Sequence, residues 1–412
     1  MTNFYPIIGW PAGRGEYDNL FNNLSYFCNK INHYTFLFNF SSFIFGFTIP
    51  KSKPYFNNYK IKYKGKNLRD ILAEYTPVDI KLAQNLKILL DVGGNRIFNK
   101  IINDNLPVNE INSYRCYFEA YFEFIKNGRP DIYVNFDIGP SYSSRNEISI
   151  KGREEWNKLS LETKENLNNE LLDISIQNKH ENCELMVPIN AINPADFKSK
   201  LQELYNNHSN KIDYIGIAGI ANQGVLKLKE ILRLFSNFKE KHNWEVRGHG
   251  LGLGGWKKIF FLVFYGIESC DVATPWRRAC TDRISQVYIP LLDNELNITN
   301  YSDPFKYEGL YNDRFKDFTC NCPFCNDISI AEVRSRCMEA DKKLTNQNQH
   351  GTDFREMRIR VFFHNLYQHI ALLRKLYTLK EESPDNFIRL FLDQLKNSES
   401  KKKIKTIVKS LI

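Results

Sequence analysis

No stretch of this 412-residue chain is both long and apolar enough to cross a bilayer. The most apolar segments, Phe36–Ile49 and Ile259–Tyr265, are too short or are broken by Asn39, Ser41 and Ser42. The first residues, Met1-Thr2-Asn3-Phe4, lack the basic-then-apolar layout of a secretory leader, so a cytoplasmic, reduced protein with no membrane partner is expected. In that compartment clustered cysteines favour a metal over disulfides. Internal repeats and low-complexity tracts are also lacking. The glycine-rich run Gly248-x-Gly250-x-Gly252-x-Gly254 has neither the spacing nor the Lys-Ser/Thr ending of a phosphate-binding P-loop. A surplus of one sign of charge is modest: 56 Lys and Arg against 47 Asp and Glu give +9, which suits a polyanionic partner without requiring one.

From about residue 86 short apolar or β-branched runs alternate with longer amphipathic ones. Candidate strands are Lys87–Leu90, Ile132–Phe136, Glu184–Ile189, Tyr214–Ala218, Glu245–Gly248 and Ser269–Val272. Between them helices are expected at Glu110–Asn127, Arg153–Asn178, Ala195–Asn206, Val225–Lys241 and Gly255–Gly266. So many strand–helix units in one block favour an α/β fold closed as a (β/α)8 TIM barrel, with an open doubly wound sheet as the alternative. In the first 85 residues the runs Thr35–Thr48 and Tyr59–Lys66 both read as strands, supplying a capping hairpin and the first barrel strands. After Cys325 the pattern is helical, with helices at Ile328–Lys343, Phe354–Tyr377 and Ser383–Leu395 and a basic tail over 401–409.

Barrel active sites lie at the C-terminal ends of the strands. The residues ending the candidate strands are Asp91, Asp137, Asn190, Gly219 and Asp271. Carboxylates gathered at one mouth suit a purine: they accept hydrogen bonds from the N1–H and exocyclic amine of guanine, and an amide serves another edge. Asp91 and Asp137 would also serve as helix N-caps, the ordinary role of Asp after a strand. His249 reads as a hydrogen-bonded loop histidine. Cys270 lacks a paired histidine motif for a thiol nucleophile. Cys320, Cys322 and Cys325 place three thiolates within six residues and need one more ligand to enclose a zinc ion. Cys28, Cys116, Cys183, Cys280 and Cys337 are read as small buried residues.

Taken in order, these segments resemble the guanine transglycosylases, which exchange a guanine in a polynucleotide for a 7-deazaguanine. Asp91-Val92-Gly93-Gly94-Asn95-Arg96 is similar to the family's Asp-Ser-Gly-Gly-Phe-Gln, with Ser and Phe-Gln replaced. Val134-Asn135-Phe136-Asp137 resembles the strand ending in a guanine-reading Asp, and Ile189-Asn190-Ala191 stands where Gln-Gly is usual. Ile217-Ala218-Gly219-Ile220-Ala221 resembles Ile-Gly-Gly-Leu-Ala, although Asn222-Gln223-Gly224 follows in place of an acidic residue. Leu251-Gly252-Leu253-Gly254 is similar to Met-Gly-Val-Gly, and Asp271, Pro275 and Arg277-Arg278 meet the nucleophile motif Asp-x-x-x-Pro followed by Arg.

The resemblance implies a nucleophile at Asp271 and a general acid/base at Asp91. Asp137, Asn190, Gly219 and Ile220 would bind the base, and Arg277, Arg278 and Arg283 would grip phosphates. It implies that His364, in Phe363-His364-Asn365-Leu366, completes a structural Zn2+ site with Cys320, Cys322 and Cys325, across an insertion near 346–352. It divides the chain into a divergent N-terminal segment with the first barrel strands (1–85), a catalytic barrel (86–315) and a zinc-binding helical subdomain with a basic tail (316–412). Val-Gly-Gly-Asn-Arg and Pro-Trp-Arg-Arg are closer to the DNA-modifying branch, so DNA is the favoured polynucleotide and tRNA the alternative. A homodimer or the proteins of a DNA-modification system are the further partners that branch implies. Two other classes are set against this reading. A non-catalytic accessory subunit would lack the nucleophile, and a zinc hydrolase would need more mouth ligands than His249.

Overall fold

The computed structural model describes residues 3–8, 16–45, 64–75, 78–140, 146–191, 193–220, 224–272, 275, 279, 286–288, 307–343 and 352–390. Eight parallel strands close into a barrel in sequence order: β1 (Asn3–Ile8), β2 (Thr35–Asn39), β3 (Lys87–Asp91), β4 (Ile132–Val134), β5 (Glu184–Asn190), β6 (Tyr214–Ala218), β7 (Arg247–Gly250) and β8 (Ser269–Val272). Closure comes from β1 lying beside β8, with Tyr5 opposite Asp271 and Pro6 opposite Val272. The closed (β/α)8 fold is therefore present and the open sheet is not. Leu37, Leu89, Ile132, Val134, Met186 and Tyr214 pack together as one buried cluster, separate from the larger core that includes Phe36, Ile88, Leu90, Tyr133 and Leu185. Adjacent strand residues thus fall alternately in the two clusters, as the two faces of a barrel wall require.

The aromatic run after residue 35 is not one strand. It breaks after Asn39 into a short helix, Phe40–Phe45, whose buried Phe40 meets Tyr121 and Phe124 at 5.1 and 5.4 Å. Of the expected strand Tyr59–Lys66, Lys64 and Gly65 form a turn, with Gly65 at φ +77°, and residues 59–63 lie outside the described residues. The Arg153–Asn178 helix is two helices, Glu147–Lys158 and Leu161–Gln177. Ser160 stops the first and caps the second, its hydroxyl accepting from Thr163 N at 3.0 Å.

β7 begins two residues later than expected and runs through the glycines. A side chain on Gly248 would come within 2.7 Å of the Phe235 ring, and one on Gly250 within 3.2 Å of Leu262. Both glycines thus face the helix layer, and the period of two sends His249 to the opposite face. Of the cysteines read as buried, Cys28, Cys183 and Cys337 are; Cys116 is exposed, and Cys280 lies outside the described residues.

At the N-terminal rim a carboxylate beside each of three strand starts binds a neighbouring strand's first free amide. Asp131 accepts from Ile88 N, Asp213 from Leu185 N and Glu268 from Gly248 N, at 2.7, 2.7 and 2.6 Å. Arg69, Lys179 and Lys239 pair with the same three groups. This rim is built for stability, which leaves the opposite mouth for chemistry.

The helix Thr352–Glu382, longer than the expected Phe354–Tyr377, packs on both Glu16–Ile31 and Trp256–Phe264. Those helices follow β1 and β7, so the long helix fills the slot of the helix that would follow β8. Its cations cap both neighbours' free carbonyls. Arg374 donates to Ile31 O and Asn32 O at 3.0 and 2.9 Å, and Lys380 donates to Val263 O and Phe264 O at 2.7 and 3.1 Å. A further helix runs over 384–390, short of the expected Leu395 because residues from 391, the basic tail included, lie outside the described residues.

Candidate active site and metal centre

Asp91 is the last residue of β3, and the turn that follows it explains its two glycines. Gly93 sits in the left-handed region at φ +67°, where a side chain would meet Ser41 Oγ at 2.1 Å; one on Gly94 would meet the backbone oxygen of Asp137 at 2.0 Å. The Gly-Gly pair is what lets the ends of β2, β3 and β4 converge. Asp91 Oδ2 accepts from Gly93 N at 3.2 Å. Neither Asp91 nor Asp137 is a helix cap: Gly93 is the N-cap residue after β3, and Asn146 caps the helix after Asp137 by accepting from Ser149 N. β4 ends at Val134, and Asn135 to Asp137 continue past it, with Asn135 N donating to Met186 O at 2.8 Å.

Burial, then the charges of Asp137 and Asp271, push the Asp91 carboxyl up to about 7. Burial likewise pushes Asp137 up to about 6. Asp271, buried within β8, is gripped on one oxygen: Oδ1 lies 2.8 Å from Gly252 N and 3.1 Å from His249 Nε2. Its backbone oxygen accepts from Gly254 N at 3.0 Å. The first use of the glycine run is therefore to hold Asp271. Gly252, at φ +64°, takes a backbone conformation that side chains rarely adopt.

Asn190 ends β5 with its residue exposed, and Gly219 follows β6 at φ +76°, where a side chain would crowd Ala191 at 3.2 Å. The Ile220 side chain is fully buried in the core, which leaves only its backbone for a ligand. Arg277, Arg278 and Arg283 lie outside the described residues. Cys270 is buried, and burial with the adjacent Asp271 pushes its thiol well above the usual range, which removes it as a nucleophile.

Two features were not read from the sequence. His249 lies on a strand rather than in a loop, fully buried, with Nδ1 2.7 Å from Ser269 Oγ. Asn39 ends β2 opposite Asp91 in register, and beyond it Ser41 keeps a buried hydroxyl with no hydrogen-bond partner among the described residues. The strand-end rule finds Asn39 once the aromatic run is divided at Phe40.

Cys320, Cys322, Cys325 and His364 come together as expected, their ligand atoms within 4.8 Å of one another. His364 Nδ1 lies 3.7, 3.5 and 3.3 Å from the three sulfurs. A tetrahedral zinc with sulfur at about 2.3 Å and nitrogen at about 2.1 Å has an S···N edge of about 3.6 Å, so the set fits that ion. Gln368 Nε2 and Cys325 N each lie 3.4 Å from a cluster sulfur, Cys320 and Cys322 respectively. Phe324 of the knuckle stacks on Phe27 at 5.6 Å and on Phe363 at 5.2 Å, which joins the cluster to the first barrel helix and to the long helix. Among the described residues no other group of three or more His, Cys, Asp or Glu is placed to hold a metal, and His249 is already engaged by Asp271 and Ser269. Nor is any described helix long and apolar enough to cross a membrane.

No curated protein matches the chain. The family model described as queuine tRNA-ribosyltransferase matches residues 55–358, well over half of the sequence, beginning after β2 and ending just short of His364. The strands that bring Asp91, Asp137 and Asp271 to one mouth fall within that match, and the chain belongs to this family of glycosyltransferases acting on guanine.

Proposed function

We propose that the protein exchanges a guanine in DNA for a 7-deazaguanine base through a covalent glycosyl–aspartate intermediate. The observation that carries this reading is the placement of three carboxylates at one barrel mouth, Asp91 ending β3, Asp137 just past β4 and Asp271 on β8. One is raised to about 7 by burial and by the other two, and one is held on a single oxygen. Such a set supplies an acid/base and a nucleophile from one residue type.

The target nucleotide leaves the stack and enters the mouth. Asp137, ionised above about 6, accepts from the N1–H and exocyclic amine of guanine, with Asn190 and the backbone of Gly219 and Ile220 around the base. The Asp271 carboxylate attacks C1′. The C1′–N9 bond breaks, its electron pair leaves with guanine, and Asp91 supplies the proton. An acid titrating near 7 is present in both forms at neutral pH, so the same Asp91 then takes the proton of the incoming base. N9 of that base displaces Asp271, and two displacements at C1′ give net retention. Zinc, when bound, supplies a structural clamp. Cys320, Cys322, Cys325 and His364 would hold it, and they join the knuckle to the helix in the eighth-helix slot.

DNA over tRNA rests on the replaced residues Val92, Asn95, Arg96 and Trp276, with Arg277, Arg278 and Arg283 assigned to phosphates. The test is chemical. The enzyme is expressed in cells that make 7-deazaguanine precursors, DNA and tRNA are digested separately, and the nucleosides are identified by mass spectrometry. A 7-deazaguanine deoxynucleoside that vanishes with Asp91→Ala is expected. Modification confined to tRNA refutes the DNA assignment, and modification of neither refutes the exchange.

A further inference from the structure

We propose that Ser269 and His249 form a hydrogen-bond relay that fixes Asp271 by its Oδ1, leaving Oδ2 as the atom that attacks C1′. In this reading His249 is a positioning residue; the inference rests on Asp271 being the nucleophile.

The relay is written into strand register. His249 on β7 lies directly opposite Ser269 on β8, and Asp271 is two residues further along β8, on the same face as Ser269. One imidazole therefore bridges two side chains of the neighbouring strand, Nδ1 to Ser269 Oγ at 2.7 Å and Nε2 to Asp271 Oδ1 at 3.1 Å. All three residues are buried. The chemistry of the partners orders the protons. A carboxylate only accepts, so Nε2 carries the hydrogen toward Asp271, and Nδ1 bonds the Ser269 hydroxyl, which can serve as donor or acceptor. Gly252 N brings a second donor to the same Oδ1 at 2.8 Å.

A free Asp carboxylate turns easily about its last torsion, and its two oxygens interchange. Two donors converging on Oδ1 remove that freedom and give each oxygen a different task. In the first displacement a lone pair of Oδ2 forms the bond to C1′ as the C1′–N9 pair departs with guanine and Asp91 gives its proton. Oδ1 is left as the carbonyl oxygen of the ester. In the second, N9 of the incoming base forms its bond to C1′ and passes its proton to Asp91. The C1′–Oδ2 pair returns to the carboxylate, whose charge spreads again onto Oδ1. The donors on Oδ1 bind the charged carboxylate more strongly than the ester carbonyl, so they favour its departure. Loss of the relay therefore slows release of the intermediate more than its formation.

The experiment measures incorporation of radiolabelled guanine into genomic DNA and total tRNA, offered separately. Covalent protein–nucleic acid is quantified in parallel on denaturing gels, for His249→Phe, His249→Gln, Ser269→Ala and Asp271→Asn. Gln keeps an N–H near Nε2 and Phe does not. His249→Phe is expected to lower kcat about 10²-fold, the scale of a reacting group displaced by an ångström, with KM for guanine little changed. The fraction trapped as covalent intermediate rises, and His249→Gln recovers most of the loss. A kcat for His249→Phe within about twofold of wild type, or a His249→Gln enzyme as impaired as His249→Phe, overturns the relay. Should His249→Phe not fold, Ser269→Ala decides, since it removes only a hydroxyl: a lower kcat with more trapped intermediate is expected, and an unchanged kcat overturns the proposal. A covalent band that persists in Asp271→Asn refutes instead the assignment of the nucleophile.

Discussion

Replacing Asp91 by Asn is expected to stabilise the protein at alkaline pH while abolishing exchange. The carboxyl ends β3 beside two other carboxylates, and its ionisation is displaced from the ordinary 3.8 to about 7, chiefly by burial. A carboxyl raised on folding holds its proton more tightly in the folded chain. It therefore contributes stability that is complete below about 4 and is lost as the pH rises through about 7. The full shift corresponds to about 4 kcal/mol at 1.36 kcal/mol per pH unit, an upper figure because water at the open mouth screens a half-buried group. Of that, about 2.5 kcal/mol falls between pH 5 and pH 8. Asn does not titrate, and its amide oxygen still accepts from Gly93 N. Thermal unfolding of wild type and Asp91→Asn at pH 5, 6, 7 and 8 should show the variant's advantage widening with pH, reaching a few degrees at pH 8. An advantage that is flat across the range, or reversed at pH 8, would refute the raised ionisation of Asp91 at this mouth.

Asp137→Asn removes a negative neighbour and makes Asp91 easier to ionise, so the inflection that Asp91 is expected to give in the kcat–pH profile should lie at lower pH in the variant than in wild type; an unmoved inflection counts against their coupling. Asp271→Ala and Asp271→Asn should reduce exchange at least about 10³-fold and yield no covalent band on denaturing gels, since neither side chain can form the ester. Elemental analysis should find one zinc per chain. Cys322→Ser should lose it, with about 4 kcal/mol or more of stability, because binding energy in a closed site is folding energy; full zinc occupancy in Cys322→Ser with His364→Ala would refute the ligand set.

The parallel barrel was legible because its strands are short β-branched runs between amphipathic helices. Lys87–Asp91, Glu184–Asn190, Tyr214–Ala218 and Ser269–Val272 lie within a residue of where the pattern puts them. The thiolate knuckle was legible for a different reason: its meaning lies in spacing along the chain. What sequence patterns missed was set by neighbours distant in sequence. The run after Thr35 stays apolar from strand into helix because Phe40 packs on Tyr121 and Phe124. The Gly248–Gly250 stretch looks like a loop because its glycines answer the crowding of Phe235 and Leu262, which periodicity within β7 does not record. The sequence by itself determined which carboxylates lie in or just beyond the C-terminal parts of strands, since a period of two and a helix start are local properties. Only the tertiary structure decided that the Gly93-Gly94 turn after Asp91 packs against the backbone of Asp137, and that His249 reaches Asp271. Register between strands and the clearance for a backbone are fixed by barrel closure, not by any one segment.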